Sequence, residues 1–311
     1  MRSETDTLAA LGAGGKPALA AALARLERDP DSDASRRLLD EAYRHPRAHV
    51  VGVTGPPGVG KSTLLSSLIA EWRGRGRGVG VIAVDPSSRR TGGALLGDRA
   101  RLATDPGDAG VFVRSMAARD RLGGLAELTL GAMVVMRALF DVVLIETVGV
   151  GQSETDVAGV ADTVLFCVQP GSGDSLQFMK AGIVEIPHVV AVTKADLGAM
   201  AERARSDVSG ALTLTDPTAP DWTPRVLAVS ARSGGGMAEL VAALDAHLDS
   251  LRDGGRLDAA RHAQAEIWVA AAIRDRFGRD GLARAGHLGL AAGESPFQRV
   301  AAIAARLADR G

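Results

Sequence analysis

One cysteine, Cys167, is present in 311 residues, which excludes an internal disulfide framework and any multi-cysteine metal site. It lies in the apolar run Val164-Leu-Phe-Cys-Val168 and reads as a small buried thiol in a core strand. No apolar stretch is long enough to span a membrane, and the N-terminus carries acids without an apolar segment of the signal-peptide kind. A cytoplasmic location with no membrane partner is expected. Surplus positive charge is also missing: 36 basic and 37 acidic residues leave a formal net charge of −1, so no nucleic acid is expected as a general partner. Lysine itself is scarce, at four of the 36 basic side chains. A compact ammonium and a flat guanidinium do different work, so each retained lysine marks a place to look.

What is present is material for one α/β domain with appendages, at 46% hydrophobic and 23% charged residues. Residues 1–48 have apolar side chains at helical spacing around a polar turn at Asp29 to Asp33, and read as an N-terminal helical extension. From His49 the pattern becomes short apolar runs alternating with helices: 50–53, 79–84, 111–113, 141–145, 163–168, 189–192 and 226–229. Continuous β-branched runs suit strands buried on both faces, and the helices between them imply a mostly parallel sheet. The segment 49–253 is the expected core domain. Beyond it, 257–277, 281–290 and 295–309 read as three helices of a C-terminal arm, 254–311, set apart by glycines. The Arg/Gly alternation at 74–80 reads as a solvated helix-to-strand loop.

Ligands of such sheets bind beyond the carboxyl ends of the strands, and the chemically suggestive residues fall there. Gly55-Pro56-Pro57-Gly58-Val59-Gly60-Lys61-Ser62 fits G-x-x-x-x-G-K-[ST] and is followed by Thr63 at the start of a helix. This P-loop places backbone N–H groups around phosphates, with Lys61 reaching them and Ser62 on Mg²⁺. Asp85 ends the second strand, Asp98 follows a glycine-rich stretch, and Glu146 ends the fourth. Mg²⁺ takes one or two carboxylates and keeps several waters, so Ser62, Asp85, Asp98 and Glu146 are the candidate metal set. Glu146-Thr-Val-Gly149 also has the acid-x-x-Gly form, in which the Gly149 N–H senses a γ-phosphate. Thr193-Lys194-Ala-Asp196 suits a guanine-reading loop: the carboxylate accepts from N1 and N2, and the lysine stem lies along the base. Thr193 stands where Asn is usual, which predicts a looser link to the phosphate loop. Ser230-Ala231-Arg232 suits a second guanine contact through a backbone N–H.

Taken with Val84-Asp-Pro-Ser-Ser, Thr91-Gly-Gly-Ala-Leu-Leu-Gly-Asp, Glu146-Thr-Val-Gly-Val-Gly-Gln-Ser-Glu and Gly173-Asp-Ser-Leu-Gln-Phe-Met-Lys-Ala-Gly-Ile, the chain resembles the methylmalonyl-CoA mutase-associated GTPases, also labelled MeaB or ArgK types. The resemblance implies a P-loop GTPase binding GTP/GDP and Mg²⁺. It further implies a chaperone that gates cofactor delivery to an adenosylcobalamin-dependent acyl-CoA mutase and protects that mutase, working as a homodimer formed through the C-terminal arm. It assigns Lys61 to phosphate, Ser62, Asp85, Asp98 and Glu146 to the metal, Lys194 and Asp196 to guanine, and residues 171–183 with Lys180 to a third switch loop. Gln152 is a candidate for holding the attacking water. Asp120, where many relatives have Gly, is a local departure. The run Asp245-Ala-His-Leu-Asp-Ser250 lacks the glycine of a cobalamin-binding Asp-x-His-x-x-Gly and falls on an amphipathic helix. Two alternatives are a nucleotide-dependent kinase, for which no acceptor-binding domain is visible, and a metal-insertion GTPase, for which cysteine and histidine clusters are missing.

Overall fold

The computed structural model describes residues 7–86, 102, 104–118, 127–147, 156–171, 187–213 and 222–308. Seven strands form one sheet, β1 His49–Thr54, β2 Val79–Pro86, β3 Val111–Ala118, β4 Val142–Glu146, β5 Thr163–Val168, β6 Val189–Val192 and β7 Arg225–Ala228. Their spatial order is β3-β2-β4-β1-β5-β6-β7, and each of the six adjacent pairings is parallel. Every apolar run read as a strand is one. The described α-helices are α1 Leu8–Arg28, α2 Asp33–Arg44, α3 Lys61–Gly74, α4 Glu127–Leu139, α5 Ala199–Leu212, α6 Met237–Asp253, α7 Arg256–Ala285 and α8 Pro296–Ala308, with short 3-10 turns at Val157–Gly159 and Ala195–Leu197.

The chain divides into two compact units. One holds 49–125 and 140–257, the sheet with α3, α5 and α6; the other gathers 1–48, 126–139 and 258–311. Helix α4, central in chain order, therefore belongs with the terminal helices.

Within the sheet unit, β1 and β5 are buried along their whole length. Alternate residues explain it: Val51 and Val53 join Leu64, Leu65, Leu68 and Trp72 of α3 and Leu240, Val241 and Leu244 of α6 in one core. On β5 and β6, Phe166, Val168, Val190 and Val192 pack with Ala201 and Val208 of α5 in another. Burying a Val, Leu or Phe side chain is worth about 1.5–3 kcal/mol, so both faces hold the sheet rigid beneath its loops. Arg75 and Arg77, from the Arg/Gly segment, pair with Asp245 at 3.8 and 2.8 Å.

The amino end of the sheet is closed by polar side chains drawn from distant parts of the sequence. His49 Nε2 lies 2.6 Å and His247 Nδ1 2.7 Å from the same hydroxyl, Thr163 Oγ1. The His188 ring stacks on His247 at 4.1 Å, with the Trp222 ring against His247 at 4.7 Å. Val164 N–H donates to His188 Nδ1 at 2.9 Å, which requires that nitrogen to be unprotonated. Asp162 Oδ2 accepts from Val50 N–H at 2.8 Å beside them. Burial lowers the His188 pKa to about 4. For His247 burial comes first, then His188 and His49, bringing it to about 3. His247 is thus occupied in the core, in the run that superficially resembled a cobalamin ligand.

In the helical unit, α1 starts at a Thr7 cap, whose hydroxyl accepts from Ala10 N–H at 3.2 Å, and breaks at Gly15 with φ 61°. Ser32 caps α2 by accepting from Ser35 N–H. Leu19, Ala22, Leu23 and Leu26 are buried at helical spacing. Ala265, Val269, Ile273, Val300, Ile303 and Leu307 form a core across α7 and α8, with Trp268 and Phe297 partly or fully enclosed against each other at 5.1 Å. The arm follows the three-helix expectation except that the middle helix is shorter. Within α7 the backbone breaks at Gly278, φ 69°, between two helical segments, and the stretch after Ala285, expected to be helical to Leu290, is not. Leu290 is buried there with its N–H donated to Glu266 Oε1 at 3.1 Å, a tertiary bond that replaces the helical one.

Candidate nucleotide site

The parallel register brings the functional strand ends into one rim. Val53, Ala83 and Glu146 are cross-strand neighbours, and on the other side of β1 Val168, Val192 and Ala228 form a second row, further along the strands than Leu165, the partner of Val53. The phosphate loop leaves β1 between the two rows. Gly55 has φ 137°, and a Cβ there would stand 2.3 Å from the Cys167 carbonyl oxygen, so only glycine lets β1 turn so close to β5. Gly60, at φ 99°, is the N-cap of α3, and Lys61 begins the helix, where the N–H groups of a first turn and the helix field favour an anion.

A cleft of about 520 Å³ opens here, lined by Pro57, Gly58 and Gly60 to Thr63 of the loop and by Ala83, Val84, Glu146 and Thr147 of β2 and β4, within the range of small-ligand sites. Lys61 is buried, with its ammonium donating to the carbonyls of Gly55 at 2.7 Å and Pro56 at 3.0 Å. The Ser62 hydroxyl donates to Glu146 Oε1 at 2.8 Å. Behind them Thr147 Oγ1 donates to Thr54 Oγ1 at 3.0 Å, and Thr147 N–H to the Val53 carbonyl at 3.1 Å, which ties the β4 exit to the start of the phosphate loop. A hydroxyl and a carboxylate in contact at the cleft wall are hard oxygen donors of the kind Mg²⁺ takes. Cys167 lies beneath, its thiol pushed up to about 12, chiefly by burial; it is a core residue, as its apolar neighbours imply.

The Thr193-Lys194-Ala-Asp196 loop stands on the other row. Thr193 is buried, and its hydroxyl lies 2.8 Å from the Val59 carbonyl and 3.0 Å from that of Val168. The link to the phosphate loop that a Thr in place of Asn was expected to loosen is made by a shorter side chain. Ala195 N–H donates to the Val229 carbonyl at 3.0 Å. Asp196 is exposed, and Ser230 Oγ donates to its Oδ1 at 2.7 Å; that hydroxyl holds the carboxyl below its ordinary range and keeps it a pure acceptor. Ser230 Oγ also accepts from Ser233 N–H at 3.3 Å, while the Ala231 carbonyl accepts from Ser67 of α3 at 3.3 Å. Arg232 is exposed beside them.

The structure thus brings together Gly55 to Thr63 with Glu146, and Thr193, Lys194 and Asp196 with Ser230. Asp85 is placed by its backbone at the end of β2, opposite Ala117; Asp98, Asp120, Gly149, Gln152 and Lys180 lie outside the described residues. Three further participants carry little local signal in the sequence. Thr54 and Thr147 are ordinary strand-end residues until the register pairs them, and Gln169 meets Lys194 only through the fold.

Comparison with known proteins agrees with this geometry. A crystal structure described as that of an "LAO/AO transport system kinase" is 28% identical and superposes with a TM-score of 0.69, covering 97% of this chain and 96% of that one. A Mycobacterium tuberculosis protein named "Probable GTPase" is 40% identical over 273 residues, 86% of this chain and 81% of its own length. The mouse "Methylmalonic aciduria type A homolog, mitochondrial" is 37% identical over 222 residues, 70% of this chain and 54% of its own length. Residues 19–284 match the family described as "Methylmalonyl Co-A mutase-associated GTPase MeaB". With a phosphate loop, a paired Ser62 and Glu146 and a Thr-Lys-x-Asp loop on one parallel rim, the chain belongs to the MeaB family and is a P-loop GTPase.

Proposed function

We propose that this protein hydrolyses GTP as a nucleotide switch that chaperones an adenosylcobalamin-dependent acyl-CoA mutase, gating delivery of the mutase's cofactor and protecting the mutase. The observation that carries the nucleotide part is the placement of the phosphate cleft and the Asp196 loop at the carboxyl ends of strands of one parallel sheet, joined by Thr193. The mutase part is supported by the family description and by the likeness to the mouse protein.

In this reading the N–H groups of Gly58 to Thr63 and the Lys61 ammonium hold the β- and γ-phosphates. Asp196 accepts from guanine N1 and N2, Lys194 lies along the base, and the Ser230 to Arg232 backbone faces O6. Ser62 and Glu146, with Asp85 and Asp98, would hold Mg²⁺, which when bound supplies charge neutralisation at the phosphate oxygens. Hydrolysis forms a bond from water oxygen to the γ-phosphorus, breaks the bond from that phosphorus to the β–γ bridging oxygen, and leaves GDP and phosphate. The protein's part is positioning and charge stabilisation, with Gln152 proposed to orient the water. Loss of the γ-phosphate releases the Gly149 N–H, and the change is passed to the partner through the loop that includes Lys180. The active form is a cytoplasmic homodimer joined through the C-terminal arm.

The test is co-purification. The tagged protein is loaded with GDP or with a non-hydrolysable GTP analogue and mixed with native cytoplasmic extract. Recovery of a cobalamin-dependent mutase in one nucleotide state and not the other is the expected result. Recovery of no mutase in either state, together with phosphate transfer to arginine, would replace this reading with a kinase, the activity for which the solved relative is named.

A further inference from the structure

Lys194 has φ 56° and is the one non-glycine residue with positive φ among the described residues. The left-handed conformation costs an ordinary L-residue about 1–2 kcal/mol, and such strain persists where the surroundings over-determine it. Here they do. Thr193 N–H donates to the Val168 carbonyl at 2.8 Å, and Ala195 N–H to the Val229 carbonyl at 3.0 Å, so the backbone on either side of Lys194 is pinned. The side chain is then drawn toward β5: its ammonium donates to Gln169 Oε1 at 2.5 Å. Gln169 is half-buried and directly follows β5. The carboxylate two residues on is drawn the other way, to Ser230 after β7. In the order β5-β6-β7, the two ends of the Lys194-Ala-Asp196 segment are thus held apart on opposite flanks of the β6 exit.

We propose that Gln169 is a positioning residue for guanine recognition: by holding the Lys194 ammonium on the β5 flank, it fixes the lysine stem where a purine face lies against it. This rests on reading residues 193–196 as the base loop. The lysine could otherwise sample many rotamers in water, and the cost of fixing it would fall on binding. An amide oxygen suits the task because it accepts from the ammonium. Gly171, two residues later with φ 75°, has Met200 of α5 packed so closely that a Cβ would stand 3.2 Å from its Cε. The β5 exit therefore meets the base loop at residues 168 and 169 and the helix that follows it at residue 171.

The test compares Gln169→Met, Gln169→Glu, Lys194→Met and the double variant Gln169→Met/Lys194→Met in the full chain, by GDP titration and GTP turnover. Gln169→Met should weaken GDP and raise the GTP KM by the same factor, about tenfold for a hydrogen bond to a charged group, with kcat unchanged. Gln169→Glu, which keeps the acceptor, should bind as the parent does. In the double variant the Gln169 change should add nothing to the loss from Lys194→Met, since both remove one interaction. Parent-like binding by Gln169→Met while Lys194→Met is impaired overturns the positioning role alone, as does full additivity. Parent-like binding by Lys194→Met overturns the base-loop reading and this inference with it. Gln169→Ala gives the same comparison should Gln169→Met fail to fold.

Discussion

Acidification should weaken this fold through the histidine cluster at the amino end of the sheet. His188 and His247 have folded pKa values of about 4 and about 3, whereas an unfolded histidine titrates near 6.5. As pH falls through about 6.5 the unfolded chain gains protons that the folded rings refuse, so stability is lost with falling pH and is flat above neutrality. By about pH 5, roughly 1.5 pH units of that difference are expressed, or about 2 kcal/mol per ring. The geometry gives the reason independently: a proton on His188 Nδ1 would face the Val164 N–H that now donates to it. Likewise Thr163 has one hydroxyl proton to share between His49 and His247. The assay is urea unfolding at about pH 7.5 and about pH 5, followed by Trp222, which packs on His247, against a Trp222→Phe control. His247→Gln should be less stable at both pH values but should lose only about half as much between them. An equal loss in parent and variant would refute the assignment of the acid sensitivity to these rings.

Lys61→Ala should reduce GTP affinity by more than about a hundredfold, read by titration with a fluorescent GTP analogue, because in the proposed reading the buried ammonium is the charge the phosphates meet. Gly55→Ala should lower stability by about 3 kcal/mol or more, since its Cβ would clash with the Cys167 carbonyl oxygen; urea unfolding measures it. Thr193→Val should cost about 1–2 kcal/mol by removing a buried donor from the Val59 carbonyl, and should weaken GDP and GTP binding alike, because it unties the 193–196 loop, proposed to read the base, from the phosphate loop.

The sheet was legible because strands buried on both faces leave long β-branched runs, and all seven runs are strands of one parallel sheet. The phosphate loop was legible because its glycines and lysine are contiguous. What escaped was set by tertiary partners. Nothing local in 127–139 says that the helix packs with the chain termini, and the 286–290 stretch has helical composition but spends its Leu290 N–H on Glu266. His49, His188 and His247, scattered in sequence, converge only because β1, β5, β6 and α6 bring them to one end of the sheet. Thr193 illustrates a different limit: its chemistry was visible, but whether so short a side chain reaches Val59 depends on how closely the two loops approach.

The most direct test of the central claim is phosphate release from GTP, ATP and XTP by the purified protein and by its Asp196→Asn variant, each with and without Mg²⁺. The parent should hydrolyse GTP in the presence of Mg²⁺ and leave ATP and XTP intact, while Asp196→Asn should shift preference toward XTP, whose base offers an acceptor where guanine offers a donor. Equal turnover of ATP and GTP by the parent, or an unchanged GTP preference in the variant, would contradict a guanine-reading switch.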